Sequence, residues 1–286
     1  MWYAFVVLSR AARRILGSIV IGLLMAPAWA EGDEPKWQVG ASVYHSTGNY
    51  GTDSETTITS VPLSIRRLFR DGDITVIVPF LSVTSDCNVT LLSGVPNKTG
   101  GTCPTQTITT KNGKQVTRLR QTRTTETGIG DLVLRGRYYV LDDRGFIPTV
   151  ALTGRVKIPT ADRDRGLGTG EFDEGVGIEV SKMLTDQWIG FVDLGYTFVG
   201  DPPGLDLRNQ WSYDIGGGYY FTKALLASAY YEEWTSVIAG LANPRDLLFA
   251  LNYTAAPAFR VNGSIARGLS SGAPDWAFTA GVNVRF

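Results

Sequence analysis

One pattern constrains this chain more than any other. From Trp37 to Phe286, apolar and polar residues alternate with period two in runs of about ten residues, and turn residues punctuate the runs. The last run is the clearest. Trp276, Phe278, Ala280, Val282, Val284 and Phe286 fall on one face, and Ala277, Thr279, Gly281, Asn283 and Arg285 on the other. In the run ending at Phe198, Trp188, Gly190, Val192, Leu194, Tyr196 and Phe198 share a face, opposite Asp193, Gly195 and Thr197. Ten steps of about 3.3 Å give about 33 Å. Tilted by about 40°, such a strand crosses about 25 Å, the height of the apolar band on a transmembrane barrel. Aromatic residues stand at the ends of the apolar face, and the polar face carries Gly, Asp and Arg. A β-sandwich alternates too, but its inward face would be apolar throughout rather than aromatic at its ends.

Twelve such runs are present: Trp37–His45, Thr57–Phe69, Asp73–Val83, Gly128–Leu141, Phe146–Ile158, Gly175–Leu184, Gln187–Val199, Trp211–Phe221, Ala224–Trp234, Asp246–Tyr253, Phe259–Leu269 and Trp276–Phe286. An even count fits a bacterial barrel. The connections alternate short and long without a slip, the longest spanning 84–127. The sequence therefore predicts an all-β, antiparallel transmembrane barrel of about twelve strands, with short periplasmic turns and longer extracellular loops.

Composition removes the competing classes. Hydrophobic residues make up 43% and aromatics 11%, enough to exclude a disordered chain. Lys and Arg number 27 and Asp and Glu 27, so nothing favours nucleic acid as a partner. A single His excludes a His-based metal cluster. Residues 1–30 read as a secretory signal peptide: Arg10, Arg13 and Arg14, then apolar Ile15 to Met25, then the small-x-small site Ala28-Trp29-Ala30. The barrel then occupies 31–286, in the outer membrane of a Gram-negative cell. Lipid, lipopolysaccharide and the barrel-assembly machinery are its expected partners.

The stretch Thr127 to Ser181 carries a resemblance. It contains Gly128-Ile-Gly130-Asp131, then Gly154-Arg155-Val156-Lys157-Ile158-Pro159-Thr160-Ala161-Asp162, and closes with Gly166-Leu-Gly168-Thr-Gly170-Glu-Phe-Asp173. This order of blocks resembles the outer-membrane family named for the meta-pathway of phenol degradation, in which Gly is common where this chain has Ala161. The resemblance implies a barrel that transports small, often aromatic or hydrophobic, compounds.

Alternation turns a set of charges inward: Arg66, Asp131, Arg135, Arg137, Arg155, Lys157, Glu179, Asp193, Asp214, Glu232, Asp246, Arg260 and Arg285. Charges at membrane depth must find partners or water. They either line a pore or form a ladder of structural ion pairs. Arg135, Arg137, Arg155 and Lys157 sit on two neighbouring runs and need relief, from Asp131, from water or from Asp193 and Asp214 across the barrel.

Other features say less. Cys87 and Cys103 form an even pair in the longest loop, and export predicts that they join in a disulfide. Asp162, Asp164, Glu171, Asp173 and Glu174 crowd the loop after Ile158, but no EF-hand spacing appears, so the reading is a solvated loop with no metal. Gly166, Gly168 and Gly170 lack the strand-turn-helix setting of a dinucleotide loop. Asn88-Val-Thr90 and Asn97-Lys-Thr99 are chance glycosylation patterns. His45 is the one available imidazole, yet Ser42 falls on the opposite face, so no hydrolase is built here. No cofactor and no catalytic residue is expected. The sequence points to passive uptake of small molecules. The alternative is a non-transporting structural or adhesive surface barrel.

Overall fold

A computed structural model describes residues 36–51, 55–85, 89–92, 95–98, 105–109, 115–119 and 123–286. The expected signal peptide and the Cys87–Cys103 disulfide lie outside these residues. The barrel begins with β1 (Trp37–Gly48), β2 (Thr56–Phe69) and β3 (Gly72–Ser85). Two short hairpins follow within the longest connection, β4 (Val89–Leu92) with β5 (Val95–Lys98), and β6 (Thr105–Thr109) with β7 (Gln115–Leu119). The wall resumes with β8 (Thr124–Ile129), β9 (Leu132–Leu141), β10 (Thr149–Ile158), β11 (Asp173–Met183), β12 (Trp188–Val199) and β13 (Gln210–Thr222). It ends with β14 (Leu225–Trp234), β15 (Arg245–Ala256), β16 (Phe259–Gly268) and β17 (Trp276–Arg285).

Each wall strand pairs antiparallel with its neighbours, and β1 pairs with both β2 and β17, so the sheet closes on itself. β8 and β9 run end to end along β3 and together make one strand of a closed twelve-stranded barrel. Closure satisfies every edge, which a hydrocarbon environment requires. At the seam, Trp37 and Phe286 exchange backbone hydrogen bonds at 2.8 and 2.9 Å.

The fourth predicted run was continuous, but the wall bulges at Gly130-Asp131. Pro79 on β3 has no N–H to donate, so the ladder breaks opposite it. Between the pairs Phe80↔Ile129 and Ile77↔Val133 the β8–β9 side carries one extra residue, and the Gly130 N–H reaches the Pro79 carbonyl at 2.8 Å. The fifth strand also starts later than Phe146, which is fully exposed in a turn. Gly145 there adopts a φ of 56°, and Arg144 bridges Ile147.

The outer face carries the apolar half of the alternation, for example Val192, Leu194, Ile215, Phe249 and Leu251, all exposed. Aromatic contacts stand at both rims. Trp188, Tyr219 and Phe221 meet at the short-turn rim, with centroids 4.9 and 5.0 Å apart. Tyr196, Phe198 and Trp211 meet at the long-loop rim, at 4.9 and 4.7 Å. Arg67 over Trp37 and Arg267 over Trp276, both at 4.9 Å, place a cation against an aromatic in each belt. His45 faces outward near the long-loop rim, where Nδ1 lies 3.0 Å from the Thr59 hydroxyl.

Candidate functional site

Strand pairing sorts the inward charges into two rows. A basic row crosses six strands: Arg285 opposes Gln38, which opposes Arg66, then Thr75, Arg135 and Arg155. An acidic row crosses five others: Glu179, Asp193, Asp214, Glu232 and Asp246, each opposite the next. Rows perpendicular to the strands climb around the barrel because the strands tilt. The basic row ends near the short-turn rim, at Arg285, and the acidic row near the long-loop rim, at Asp246. Arg260, opposite Asn283, lies beside the lower end of the basic row.

Some of these charges are locked. Arg135 and Arg137 both donate to Glu179 Oε1, at 2.7 and 3.1 Å. Arg66 pairs with Asp73. Arg285 Nε donates to the Gln38 side chain at 2.9 Å, and Gln38 donates to Asn283 at 3.1 Å. Lys157 is 9% exposed and sits 2.8 Å from Asp173, which is 0% exposed, and 3.6 Å from Asp131. Lys157 also donates to the Thr169 hydroxyl at 3.1 Å.

Others have no ion pair among the described residues. Arg155, Asp193 and Asp214 line a recess of about 210 Å³ in the wall formed by β10 to β13. One carboxylate oxygen each of Asp214 and Asp246 and the Nε of Arg260 lack hydrogen-bond partners among the described residues. The relief expected from Asp193 and Asp214 therefore comes from elsewhere: Arg135 and Arg137 share Glu179, which leaves one positive charge over in that trio, while Asp173 and Asp131 flank Lys157.

Asp131 departs from the strand position the alternation implied. It lies in the bulge, where its Oδ1 accepts the Ala161 N–H at 3.0 Å and fixes the turn after β10. The acidic loop 159–172 is not merely solvated. Leu167 and Thr169 are buried, and Asp162 Oδ1 accepts the Asp164 and Arg165 N–H groups at 3.0 and 3.3 Å. Among the described residues no group of acids, His or Cys is arranged for a metal.

The long-loop mouth is packed by the β4–β5 hairpin. Leu91 joins Tyr50, Ile58, Val83 and Leu167 in one buried cluster. Leu92, 1% exposed, joins Val199, Leu207 and Val237 in another. The Leu91 N–H bonds the Gly166 carbonyl at 3.0 Å. Gly166 is required twice over: its φ is 71°, and a Cβ there would stand 2.2 Å from the Val89 carbonyl oxygen. A cavity of about 530 Å³ remains beside the hairpin, bounded by the loops around Arg165 and Leu205. This packing is not legible in the sequence, because two leucines in a Thr-rich loop carry no periodicity. Asp73 was also missed, although the alternation through Thr75 and Ile77 turns it inward.

A family model described as "Putative MetA-pathway of phenol degradation" matches residues 74–286. Among solved structures, the chain is similar to a crystal structure of an outer membrane channel from Pseudomonas putida F1. The identity is 14%, the match covers 92% of this chain and 100% of that one, and the TM-score is 0.65. It is also similar to the NanC porin at 9% identity, over 87% of this chain and 100% of that one, with a TM-score of 0.51. At such identities the likeness is one of fold. No curated protein matches the chain.

Proposed function

Because the chain belongs to the family described as "Putative MetA-pathway of phenol degradation", we propose that it is an outer-membrane channel for passive uptake of small molecules, with no chemistry performed on them. The family's name points to aromatic or hydrophobic cargo. The observation that carries the channel reading is the inward face. Beneath the mouth that the hairpin narrows it holds charges without ion pairs among the described residues, Arg155, Asp193 and Asp214, around an open recess rather than a filled core. A purely structural ladder would pair them all, since a buried charge left alone is costly.

In this reading the short turns face the periplasm and the hairpin narrows the extracellular mouth. Residues 1–30 direct export and are removed, Cys87 and Cys103 staple the long loop, and the aromatic belts contact lipid and lipopolysaccharide. Two tests serve the proposal. The first is liposome swelling with the purified barrel. The second is growth of a deletion strain on aromatic and aliphatic carbon sources. Swelling, and slower growth on particular sources, are expected. A folded barrel that admits no solute would favour the non-transporting surface protein.

A further inference from the structure

The recess in the β10–β13 wall has a chemistry of its own. Arg155 stands at one side with no ion pair among the described residues, and Asp193 and Asp214 stand at the other. The neighbouring Arg135 pairs at 2.7 Å with Glu179, a carboxylate it shares with Arg137, so Arg155, Asp193 and Asp214 are the lining charges without an ion pair among the described residues. Its floor is bare backbone. Thr153 opposes Gly177, Arg155 opposes Gly175, and Gly177 opposes Gly195. A Cβ at Gly195 would stand 2.5 Å from the Ser212 hydroxyl, and one at Gly177 would stand 2.8 Å from the Thr153 hydroxyl. Side chains at these positions would crowd the space that the glycines leave open. At about 210 Å³ the recess exceeds the space of a single water many times over.

We infer that this recess is a binding subsite for short zwitterionic solutes, with Arg155 taking the solute's carboxylate and Asp193 with Asp214 taking its ammonium group. The inference rests on the channel reading above and adds to it a polar class of solute, distinct from the aromatic cargo that the family's name points to. Arg155 and the two acids are too far apart to neutralise each other as an ion pair, yet they share one cavity. A solute carrying both charges bridges that gap and supplies both missing partners at once. A solute with one charge satisfies one side and leaves the other unpaired. A neutral aromatic solute gains nothing from a floor of glycine and hydroxyl groups. Charge-assisted hydrogen bonds to a carboxylate are also the contacts a guanidinium makes best.

The test is single-channel recording of the full purified barrel in planar bilayers, with four probes of equal chain length: 4-aminobutyrate, butyrate, butylamine and butyramide. In the wild-type protein, 4-aminobutyrate should interrupt the current at concentrations about tenfold lower than any of the other three, the factor that about 1.4 kcal/mol provides. Arg155→Gln should bring 4-aminobutyrate to the level of butylamine. Asp193→Asn combined with Asp214→Asn should bring it to the level of butyrate. The wild-type comparison among probes stands even where a variant fails to fold. Steady conductance with all four probes alike, or preference unchanged in the folded variants, overturns the subsite and leaves the channel intact. A folded barrel with no conductance overturns both.

Discussion

Lys157 shows how far a single charge's role departs from what alternation alone assigns. Its inward direction is legible from the spacing Gly154-Arg155-Val156-Lys157. Its burial is not, because the partner Asp173 lies beyond a loop whose path the sequence does not encode. Lys157→Met leaves Asp173 charged and enclosed, and should destabilise the barrel by about 3–5 kcal/mol. Urea unfolding followed by heat-modifiable gel mobility measures this, and a variant as stable as wild type would contradict the account. Arg155, one lumen step away, should tolerate loss of its charge in the same assay.

At the short-turn rim, hydrogen bonds from the Lys182 ammonium and from the Met183 N–H, at 2.8 Å, hold the Asp143 carboxyl below its usual range. A depressed carboxyl stabilises above its unfolded value of about 3.9 and loses that contribution as pH falls through its folded value. The 142–148 turn should therefore loosen only in acid, below about pH 4. Amide exchange at Met183 reads this out, and Asp143→Asn should exchange fast at every pH. Pronounced loosening near pH 6 in the wild-type turn would refute the assignment.

At the scale of elements, the strands were legible and the mouth was not. Alternation is a local signal, so all twelve wall strands follow from it, and their ends shift where a local rule intervenes. Pro79 forces the bulge at Gly130-Asp131, and Pro148 with Gly145 delays β10. The β4–β5 hairpin depends instead on contacts from β1, β2, β3, β12 and four loops. Gly166→Ala should expel it, since the new methyl group meets the Val89 carbonyl in a backbone conformation that alanine disfavours. The expected result is larger unitary conductance with unchanged barrel mobility on gels. Conductance equal to wild type would mean that the hairpin does not restrict the path. Reduction of the expected Cys87–Cys103 bond should loosen the same connection and leave the wall intact, because closure does not depend on that loop. Mass spectrometry of unreduced peptides decides whether the bond exists, and two alkylatable thiols in the native protein would exclude it.

For the whole molecule, the inner face decides between a channel and a filled structural barrel. Of the two alternatives that the inward charges left open, the ion-pair ladder accounts for only part of the inner face. Glu179 with Arg135 and Arg137, Arg66 with Asp73, and Lys157 with Asp173 are the ladder. Arg155, Asp193 and Asp214, without ion pairs among the described residues, are the lining that the proposed channel needs. An interior of twelve strands lies between the filled eight-stranded barrels and the open sixteen-stranded porins. A partly paired lumen suits that width. The most direct test of the central claim is single-channel current through the purified, folded wild-type barrel in a planar bilayer. Discrete, uniform conductance steps are predicted. Insertion of correctly folded barrel without any current would contradict the account.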